Sequence, residues 1–489
     1  MSDALTPHDL LLRGIQEINV DTDAEKRWKF YEGNNDKPFA PKGVNTEYEA
    51  LRDMARLPLT RLAVRTPVQR LSMVGLRSGG DEDTDEVLMH DVLRFNKMPS
   101  RQRILYIHAL VFGYGVASVW PNKSNPDTPH IYVEDPRNIY LHLDPRNPFS
   151  TDWAVKVWQE NETTAVAILY TDAMVYRFEA EHDADTQVWN LDNFELADSY
   201  RNPMGRVPFV LFAAERRSDG GAGSMIDALI PQQRAIDTMR FNVLLAAQFA
   251  AFRQRIVVGY DPVQRDGDGN PMFRTDAEGN YITDQDGQPI PIINSPGRAG
   301  VDRLLVFPGS DTKVTDLNES NLDNYVKVLD MLVATFASTA QVPPQYLVGD
   351  FKNVSGDLMT ATEATLRSLT SELQTQFGDA WLSLFDLVSL ARGEGPLSMD
   401  AQIVWEDATP LDLSQVSDAA SKMVPQGAPL EMFLEMIPGA TPQKVQRWMG
   451  MSQNAMTRQM AGSLAASAFG PKVPLEGQQQ EVVDDGTSG

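Results

Sequence analysis

Two long helical segments that enclose a stretch unable to form a helix constrain the fold of this chain more than any other feature. Apolar residues recur at helical spacing over residues 226–255 and again over 318–340. Between them, residues 266–297 repeat Asp, Gly, Asn and Pro, which favour turns and interrupt helices. Two helices joined through a small β insert predict a stalk with a tip. That shape suits one subunit of a ring better than it suits an enzyme with a compact active site.

A proline-rich stop and a third helix follow the stalk. Pro343 and Pro344 end the second helix, because the residue before a proline avoids helical dihedral angles. Residues 347–355 have the composition of a loop, and Ser355 can cap the helix predicted over residues 356–391. Residues 401–405 are predicted as a short strand, and residues 412–470 as further helices.

The first half of the chain predicts an α+β domain. Residues 7–18 are predicted to form a helix within a polar lead-in, and residues 45–71 have helical spacing interrupted by Pro58 and Pro67. Residues 87–118 are also predicted to be helical, although Gly113 and Gly115 permit either close backbone packing or a helix-to-strand turn. Residues 130–215 instead contain seven short runs rich in Val, Tyr and Trp, separated by Pro, Asn and Asp, which predict strands. Residues 216–225, rich in Gly and Ser, are predicted to be a flexible hinge at a domain boundary.

Composition excludes several classes of protein. A chain of 489 residues suggests roughly two to four domains. It has no cysteine, which excludes disulfides, thiol nucleophiles and Cys-ligated metals. The most apolar run, residues 241–252, is shorter than the ~20 residues of a membrane span, and the N-terminus lacks the pattern of a signal peptide. We therefore expect a protein made in the cytoplasm and not bound to membranes.

Charge argues against an ordinary nucleic-acid binder. The formal net charge is −24, whereas proteins that grip nucleic acid show a basic face. An acidic wall is compatible with a conduit through which DNA slides, and equally with simple solubility.

Motifs for catalysis are missing from the sequence. The six histidines form no HExxH pair, and neither a GxSxG elbow nor a Walker A loop occurs. Residues Asp266, Asp268 and Asn270 alternate as at the start of an EF-hand, but the glycine at the sixth position and the glutamate at the twelfth are missing. The repeated DGNP, AEGNY and DGQP segments are better explained as successive hairpin turns. We predict no enzyme activity, no metal site and no cofactor.

Two motifs, together with this order of elements, resemble the portal proteins of long-tailed, siphovirus-like double-stranded-DNA bacteriophages. They are Gln-Val-Pro-Pro-Gln-Tyr-Leu at 341–347, followed by Asn-Val-Ser-Gly at 353–356, and Ala-Leu-Val-Phe-Gly-Tyr-Gly at 109–115. The resemblance covers residues 45–470 and implies a portal-type α+β fold assembled as a ring. Such a fold has an α/β wing, a two-helix stem, a small β-hairpin clip and a helical crown.

The resemblance also implies domain boundaries. These are a lead-in over residues 1–44, the first part of the wing over 45–222, stem helix 1 over 223–256, the clip over 257–312, stem helix 2 over 313–341, the channel loop with the long helix and wing return over 342–411, the crown over 412–470, and a disordered tail over 471–489.

Functional residues follow from the same resemblance. The family places the loop before the long helix at the narrowest part of a DNA channel, so the residues expected near DNA are Gly349, Asp350, Phe351, Lys352, Asn353, Val354 and Ser355. Weaker channel candidates are Lys313 and Lys327. The expected docking residues of the clip are Asp266, Asp268, Asp276, Asp284 and Asp286.

The implied function is a channel for DNA packaging and ejection at one capsid vertex of the virion, assembled in the host cytoplasm. The expected partners are a homo-oligomeric ring of 12 copies, double-stranded DNA in transit, the large terminase subunit, a head-completion or adaptor protein, and the major capsid and scaffold proteins. Two alternatives remain open: a scaffold-type virion protein that never contacts DNA, and a metal-dependent enzyme that uses the Asp-rich insert.

Overall fold

The protein is a mixture of helices and sheets that divides into two compact units, Met1–Glu406 and Asp407–Gly489. The computed structural model describes residues 5–39, 46–77, 84–181, 189–190, 193–251, 255–258, 263–293, 313–316, 322–348, 356–406, 413–437 and 444–452. The class predicted from the sequence, α+β, is confirmed. Among the described residues, no helix combines the length and the apolar character needed to cross a membrane.

The described residues up to 120 form six helices and two strands. In chain order they are α1 (Pro7–Val20), α2 (Thr22–Glu32), α3 (Thr46–Ala55), α4 (Leu59–Val68), β1 (Met73–Arg77), α5 (Thr84–Phe95), α6 (Met98–Phe112) and β2 (Tyr114–Trp120). The sequence predicted a single helix in the lead-in, so α2 is a correction. Asp21 caps its first turn through the N–H of Ala24, and Gly33 ends it with a φ of 79°.

A meander of strands follows, as predicted, with two differences. The strands are β3 (His130–Glu134), β4 (Ile139–Asp144), β5 (Asn147–Gln159), β6 (Thr164–Tyr170), β7 (Met174–Glu181), β8 (Glu195–Arg201) and β9 (Phe209–Ala213). The run predicted as a strand at 187–192 is not a strand at its described residues 189–190, and β8 lies after it. The helical spacing predicted over 87–118 ends at Phe112, and the helix-to-strand turn that Gly113 permits is the alternative that the structure shows, because β2 follows it.

The strands form two antiparallel sheets in the order β4-β5-β6-β7-β8 and β3-β2-β9. Helix α1 packs its buried residues Leu11 and Ile15 on the five-stranded sheet, in one apolar cluster with Val155. Gly14 permits this close approach, because a Cβ on it would lie 2.5 Å from Cγ2 of Val155.

Glycine also decides how α6 turns into β2. Gly113 has a φ of 97°, and a Cβ there would lie 3.1 Å from the carbonyl carbon of Gly223. The segment that contains Gly223 was predicted to be a flexible hinge, but it packs on the end of α6. Ser224 Oγ donates to the carbonyl of Val111 at 2.6 Å, and the N–H of Met225 donates to that of Leu110 at 3.0 Å.

The remaining elements of the first unit are α7 (Ile230–Ala251), β10 (Arg255–Val258), β11 (Lys313–Asp316), α8 (Leu322–Thr339), α9 (Pro344–Val348), α10 (Gly356–Ala391) and β12 (Gln402–Trp405). The predicted bounds of α10 match. Helix α7 begins at Ile230 rather than at residue 226, and β10 begins at Arg255, the last residue predicted for α7. Residues 252–254 and 318–321, which were predicted to be helical, lie outside the described residues. Strand β12 pairs antiparallel with β1, and β10 pairs antiparallel with β11.

Helix α10 crosses the centre of the first unit on an aromatic layer. Phe377 stacks on Tyr106 of α6 with a centroid separation of 4.9 Å, and Trp381 meets Phe212 of β9 edge-on at 5.4 Å. Phe385 extends the layer by stacking on Trp381. All five side chains are buried, so this layer joins the helices to the three-stranded sheet.

The second unit is helical where it is described. It contains α11 (Leu413–Met423) and α12 (Leu430–Glu435), and residues 444–452 are also helical. Among its described residues, Val416, Phe433 and Val445 are buried and apolar. The predicted helical region over 412–470 is therefore helical over most of its described part.

Candidate functional site

The two long helices predicted as a stalk form an antiparallel pair. The beginning of α7 lies beside the end of α8, where Gln232 Nε2 donates to Thr339 Oγ1 at 2.9 Å. At this end, Ile236 of α7 and Phe336 of α8 belong to the same buried apolar cluster. The pair is thus anchored at one end in the core of the first unit.

A buried carboxylate fastens α7 to the segments that precede it in the chain. Asp237 is 1% exposed, and its carboxylate accepts hydrogen bonds from Asn35 Nδ2 at 3.0 Å, Gln233 Nε2 at 2.7 Å and the N–H of Leu57 at 3.2 Å. Burial raises the pKa of Asp237, and these three donors oppose that shift. The contacts hold α7 against the turn after α2 and the beginning of α4.

The end of α8 has a well-defined stop signal. The N–H of Val342 donates to the carbonyl of Ala337 at 3.0 Å, and the N–H of Gln341 donates to that of Ser338 at 3.2 Å. This is the Schellman pattern, and Gln341 occupies its left-handed position with a φ of 55°. Pro343 then prevents any continuation, so the short helix α9 begins at Pro344 in a new direction.

Three side chains join α9, α10 and the end of α4. Arg70 donates from Nη1 to Glu363 Oε2 at 3.3 Å and from Nη2 to Glu363 Oε1 at 3.2 Å. The hydroxyl of Tyr346 donates to the same Oε1 at 2.5 Å and accepts from Arg70 Nη2 at 3.4 Å. We call Arg70, Tyr346 and Glu363 the bracket cluster.

The charges of the bracket cluster favour its closed arrangement. The hydrogen bond with Glu363, followed by burial, raises the pKa of Tyr346, so its hydroxyl remains a donor. The same hydrogen bond, with the contribution of Arg70, lowers the pKa of Glu363 and keeps its carboxylate ionised. The side chains of Arg70 and Glu363 are only 20% and 21% exposed, so water screens the pair weakly.

In the sequence, the predicted channel residues fall between two members of this cluster. Gly349, Asp350, Phe351, Lys352, Asn353, Val354 and Ser355 are outside the described residues. Tyr346 precedes them on α9, and Glu363 follows them on α10. Of the weaker candidates, Lys313 lies in β11 opposite Val258, and Lys327 is exposed on α8. The described residues do not bring these two lysines together with the bracket cluster.

The insert between α7 and α8 contains three turns of the same design, at 266–270, 276–280 and 284–288. In each turn the N–H of the first residue, an Asp, donates to the carbonyl of the fifth residue at 2.9 Å. The carboxylate of that Asp accepts from the N–H groups of the third and fifth residues at 2.8–3.1 Å. The fourth residue is always a glycine with a φ of 79–90°. The hairpin turns predicted from the repeats are confirmed.

The segments between the turns close into two rings of backbone hydrogen bonds. The first ring has three hydrogen bonds of 2.7–2.8 Å, each from a backbone N–H to a backbone carbonyl. Gln264 donates to Ile292, Ile292 donates to Met272, and Met272 donates to Gln264. The second ring has the same pattern at 2.8–2.9 Å among Arg274, Ile290 and Ile282. Each ring joins three segments of backbone, so the insert is held together by these hydrogen bonds with little apolar core.

The five predicted docking aspartates therefore occupy two different kinds of position in these turns. Asp266, Asp276 and Asp284 stabilise their own turns, and backbone hydrogen bonds lower the pKa of the first two. Asp268 and Asp286 are the third residues of their turns and are exposed at the tips. Among the described residues, no three side chains of His, Cys, Asp or Glu are grouped so that they could hold a metal ion.

Sequence reasoning missed Arg70, Glu363 and Asp237. A partial signal existed for the bracket cluster, because Tyr346 belongs to the motif at 341–347 that carried the resemblance. Its partner Arg70 is 276 residues away in the chain, and Asn35 is 202 residues from Asp237. Residues so far apart in the chain form no local pattern from which a single sequence could predict their contact.

Comparison with known proteins identifies similar sequences over most of the chain. Residues 22–458 match the family described as phage portal protein, SPP1 Gp6-like. The portal protein of Mycobacterium phage L5 is 24% identical over 405 residues, which cover 79% of this chain and 76% of that protein. The portal protein of Mycobacterium phage D29 is 24% identical over 406 residues, with the same coverage of both chains.

Proposed function

Because the chain belongs to the SPP1 Gp6-like family of phage portal proteins, its role is that of a phage portal, and we propose how its elements perform that role. The family is structural rather than enzymatic, and it implies a ring oligomer in the virion capsid with capsid and terminase partners. The match over residues 22–458 is the observation that carries this conclusion.

In this proposal α7 and α8 form the stem, the insert between them forms the clip, and residues 45–222 form most of the wing. The antiparallel pairing of α7 with α8 and the paired strands β10 and β11 at the base of the insert support this assignment. Closed rings need a heterologous interface, in which one face of a subunit packs on a different face of the next. The helices of 413–452 would form the crown.

DNA would pass the loop at 349–355. Lys352 would repeat once per subunit, so that a ring of 12 copies carries a belt of positive charge inside an acidic channel. Such a belt contacts phosphates without reading bases, and the net charge of −24 keeps DNA from binding tightly elsewhere. Lys327, exposed on α8, is a weaker candidate for the same surface.

The acidic turn tips of the insert would be the docking surface for the terminase large subunit during packaging. A head-completion or adaptor protein would replace the terminase afterwards. Asp268 and Asp286 are the aspartates best placed for this, because their carboxylates are exposed and do not cap their own turns. The major capsid and scaffold proteins would surround the ring during assembly in the host cytoplasm.

Electron microscopy of the purified full-length protein tests the proposal. Class averages are expected to show closed rings with a central hole, and counting subunits would test the expected number of 12. A compact oligomer without a hole would contradict the channel and favour the alternative, a scaffold-type virion protein.

Charge reversal at Lys352 tests the channel loop separately. Phage that carry Lys352→Glu should assemble portals normally but package or retain less DNA, because the positive belt becomes negative. Lys123→Glu is the matched control, since it makes the same charge change at an exposed residue between β2 and β3. Packaging and retention equal to those of wild type in the Lys352→Glu phage would remove the loop from the proposal.

A further inference from the structure

The bracket cluster stands out because it combines a charged pair, a phenol and three separate chain segments. Arg70 follows α4, Tyr346 lies in α9, and Glu363 lies two turns into α10. Four hydrogen bonds of 2.5–3.4 Å connect the three side chains in a closed triangle. Exposed ion pairs contribute little to stability, whereas the side chains of Arg70 and Glu363 are only 20% and 21% exposed.

The cluster also has a specific place along the chain. Its two members Tyr346 and Glu363 are separated by 17 residues, and the predicted DNA-contacting residues 349–355 lie between them. The third member, Arg70, comes from the body of the first unit and holds both through one guanidinium. The planar fork of arginine fixes direction as well as distance, which a lysine could not do.

We propose that Arg70, Tyr346 and Glu363 are positioning residues of the DNA channel, which hold the end of α9 and the beginning of α10 at a fixed separation against the body of the subunit. This inference rests on the proposed function of residues 349–355. The three side chains contact no DNA themselves. They set where the chain leaves α9 and where it re-enters α10, and a ring repeats that geometry in every subunit.

Apolar packing alone would fix the position of α9 less firmly than the bracket cluster does. Helix α9 is only five residues long, too short to hold its own orientation by helical hydrogen bonds. Tyr346 and Leu347 contact the main apolar cluster only as partly buried residues. The orientation of α9 therefore depends strongly on the hydrogen bonds of Tyr346.

The test uses full-length protein and phage with Glu363→Gln and, separately, Tyr346→Phe. Hydrogen–deuterium exchange of assembled rings should become about tenfold faster at 344–348 and 356–366 and stay unchanged elsewhere, because Glu363→Gln removes the charge that pairs with Arg70 and Tyr346→Phe removes the hydroxyl that bonds to Glu363. Phage with these variants should contain assembled portals but show a severalfold loss of packaged or retained DNA. The double variant Arg70→Glu with Glu363→Arg exchanges the two charges of the ion pair. Its exchange rates and its amount of packaged DNA should lie closer to wild type than those of Glu363→Gln.

Asp135→Asn is the matched control. Asp135 forms a two-point pair with Arg137, at 3.1 Å from Nε and 2.8 Å from Nη2, but it lies before β4, in another part of the unit. This variant should behave as wild type in DNA packaging, whatever its effect on the melting temperature. A loss of packaging in Asp135→Asn equal to that in Glu363→Gln would reduce the bracket cluster to an ordinary contribution to stability and overturn the proposal.

Two further results would also overturn it. Unchanged exchange at 344–348 and 356–366 would show that the cluster does not position these helix ends. Faster exchange there with wild-type packaging would show that their position has no effect on the channel. Failure of the proposed function itself looks different, because it would appear as non-annular assemblies of the wild-type protein or as a Lys352→Glu phage without a defect.

Discussion

Trp381 of α10 donates a hydrogen bond from Nε1 to the hydroxyl of Tyr106 on α6 at 2.8 Å, and both side chains are fully buried. Tyr106 passes the interaction on by donating to Gln102 Oε1 at 3.0 Å. Gln102 in turn accepts from the N–H of Met73 and donates to its carbonyl. One polar chain thus links α10, α6 and β1 through the centre of the first unit.

Tyr106→Phe should destabilise the protein by about 1–3 kcal/mol, because the ring remains while the indole N–H of Trp381 loses its buried acceptor. Denaturant unfolding followed by tryptophan fluorescence measures this. Tyr132→Phe, at a half-exposed tyrosine on β3, is the control and should change stability by less than ~0.5 kcal/mol. Equal effects of the two changes would contradict a structural role for the buried polar chain.

Asp237→Ala should cost roughly 2–5 kcal/mol, since it leaves the amides of Asn35 and Gln233 and the N–H of Leu57 without their buried acceptor. Thermal unfolding of the purified protein measures the loss. Asp330→Ala, at an exposed aspartate of α8, is the control. A loss no larger than that of this control would show that the network contributes little.

Asp237 should also make stability depend on pH. Burial raises its folded-state pKa above the ordinary 3.8, so the folded protein holds this proton more tightly than the unfolded chain. Its contribution to stability is therefore fully present below pH 3.8 and is lost as pH rises through the raised pKa. Asp237→Asn cannot titrate. The free energy of unfolding of wild type minus that of the variant should fall over this window and then stay constant. A difference that rises with pH would show that the pKa is lowered instead.

Gln341→Gly should stabilise the protein by up to ~1 kcal/mol, because glycine adopts the left-handed backbone of a Schellman stop without the strain that a Cβ causes. Ser338→Gly places the same residue within the last turn of α8, where helical dihedral angles make glycine unfavourable, and should destabilise. Opposite signs in the two melting temperatures confirm the assignment, whereas a loss in both variants contradicts it.

Gly269→Ala should loosen the insert by about 1–2 kcal/mol, since Gly269 has a φ of 88° and a Cβ on it would meet no neighbouring atom, which leaves backbone strain as the cause. Gly267→Ala in the same turn also meets open space but has no positive φ, so it should be neutral or slightly stabilising. Hydrogen exchange over residues 263–293 measures both, because the insert can open without global unfolding. Similar exchange in the two variants would show that the turn tolerates a side chain at its fourth position.

Local patterns predicted much of the secondary structure. The bounds of α10 and the three turns of the insert follow from proline, glycine and aspartate at positions with a direct backbone consequence. Helix α2 was missed because its sequence, with six charged residues in eleven, has no clear apolar stripe. Its caps, Asp21 and Gly33, define it more clearly than its hydrophobic pattern does. The strand β2 could be predicted only as an alternative, because its apolar run continues directly from α6 and only Gly113 and Gly115 mark the change.

The sequence by itself determined the class of the fold, the two long helices with a β insert, and the family to which the chain belongs. Only the tertiary structure decided that Asp237 is a buried acceptor, that Asp266, Asp276 and Asp284 stabilise their own turns, and that Arg70 meets Tyr346 and Glu363. The physical reason is that these interactions act over different separations along the chain. Backbone preferences act within a few residues and appear in local sequence, whereas burial and charge pairing depend on segments separated by hundreds of residues that only folding brings together.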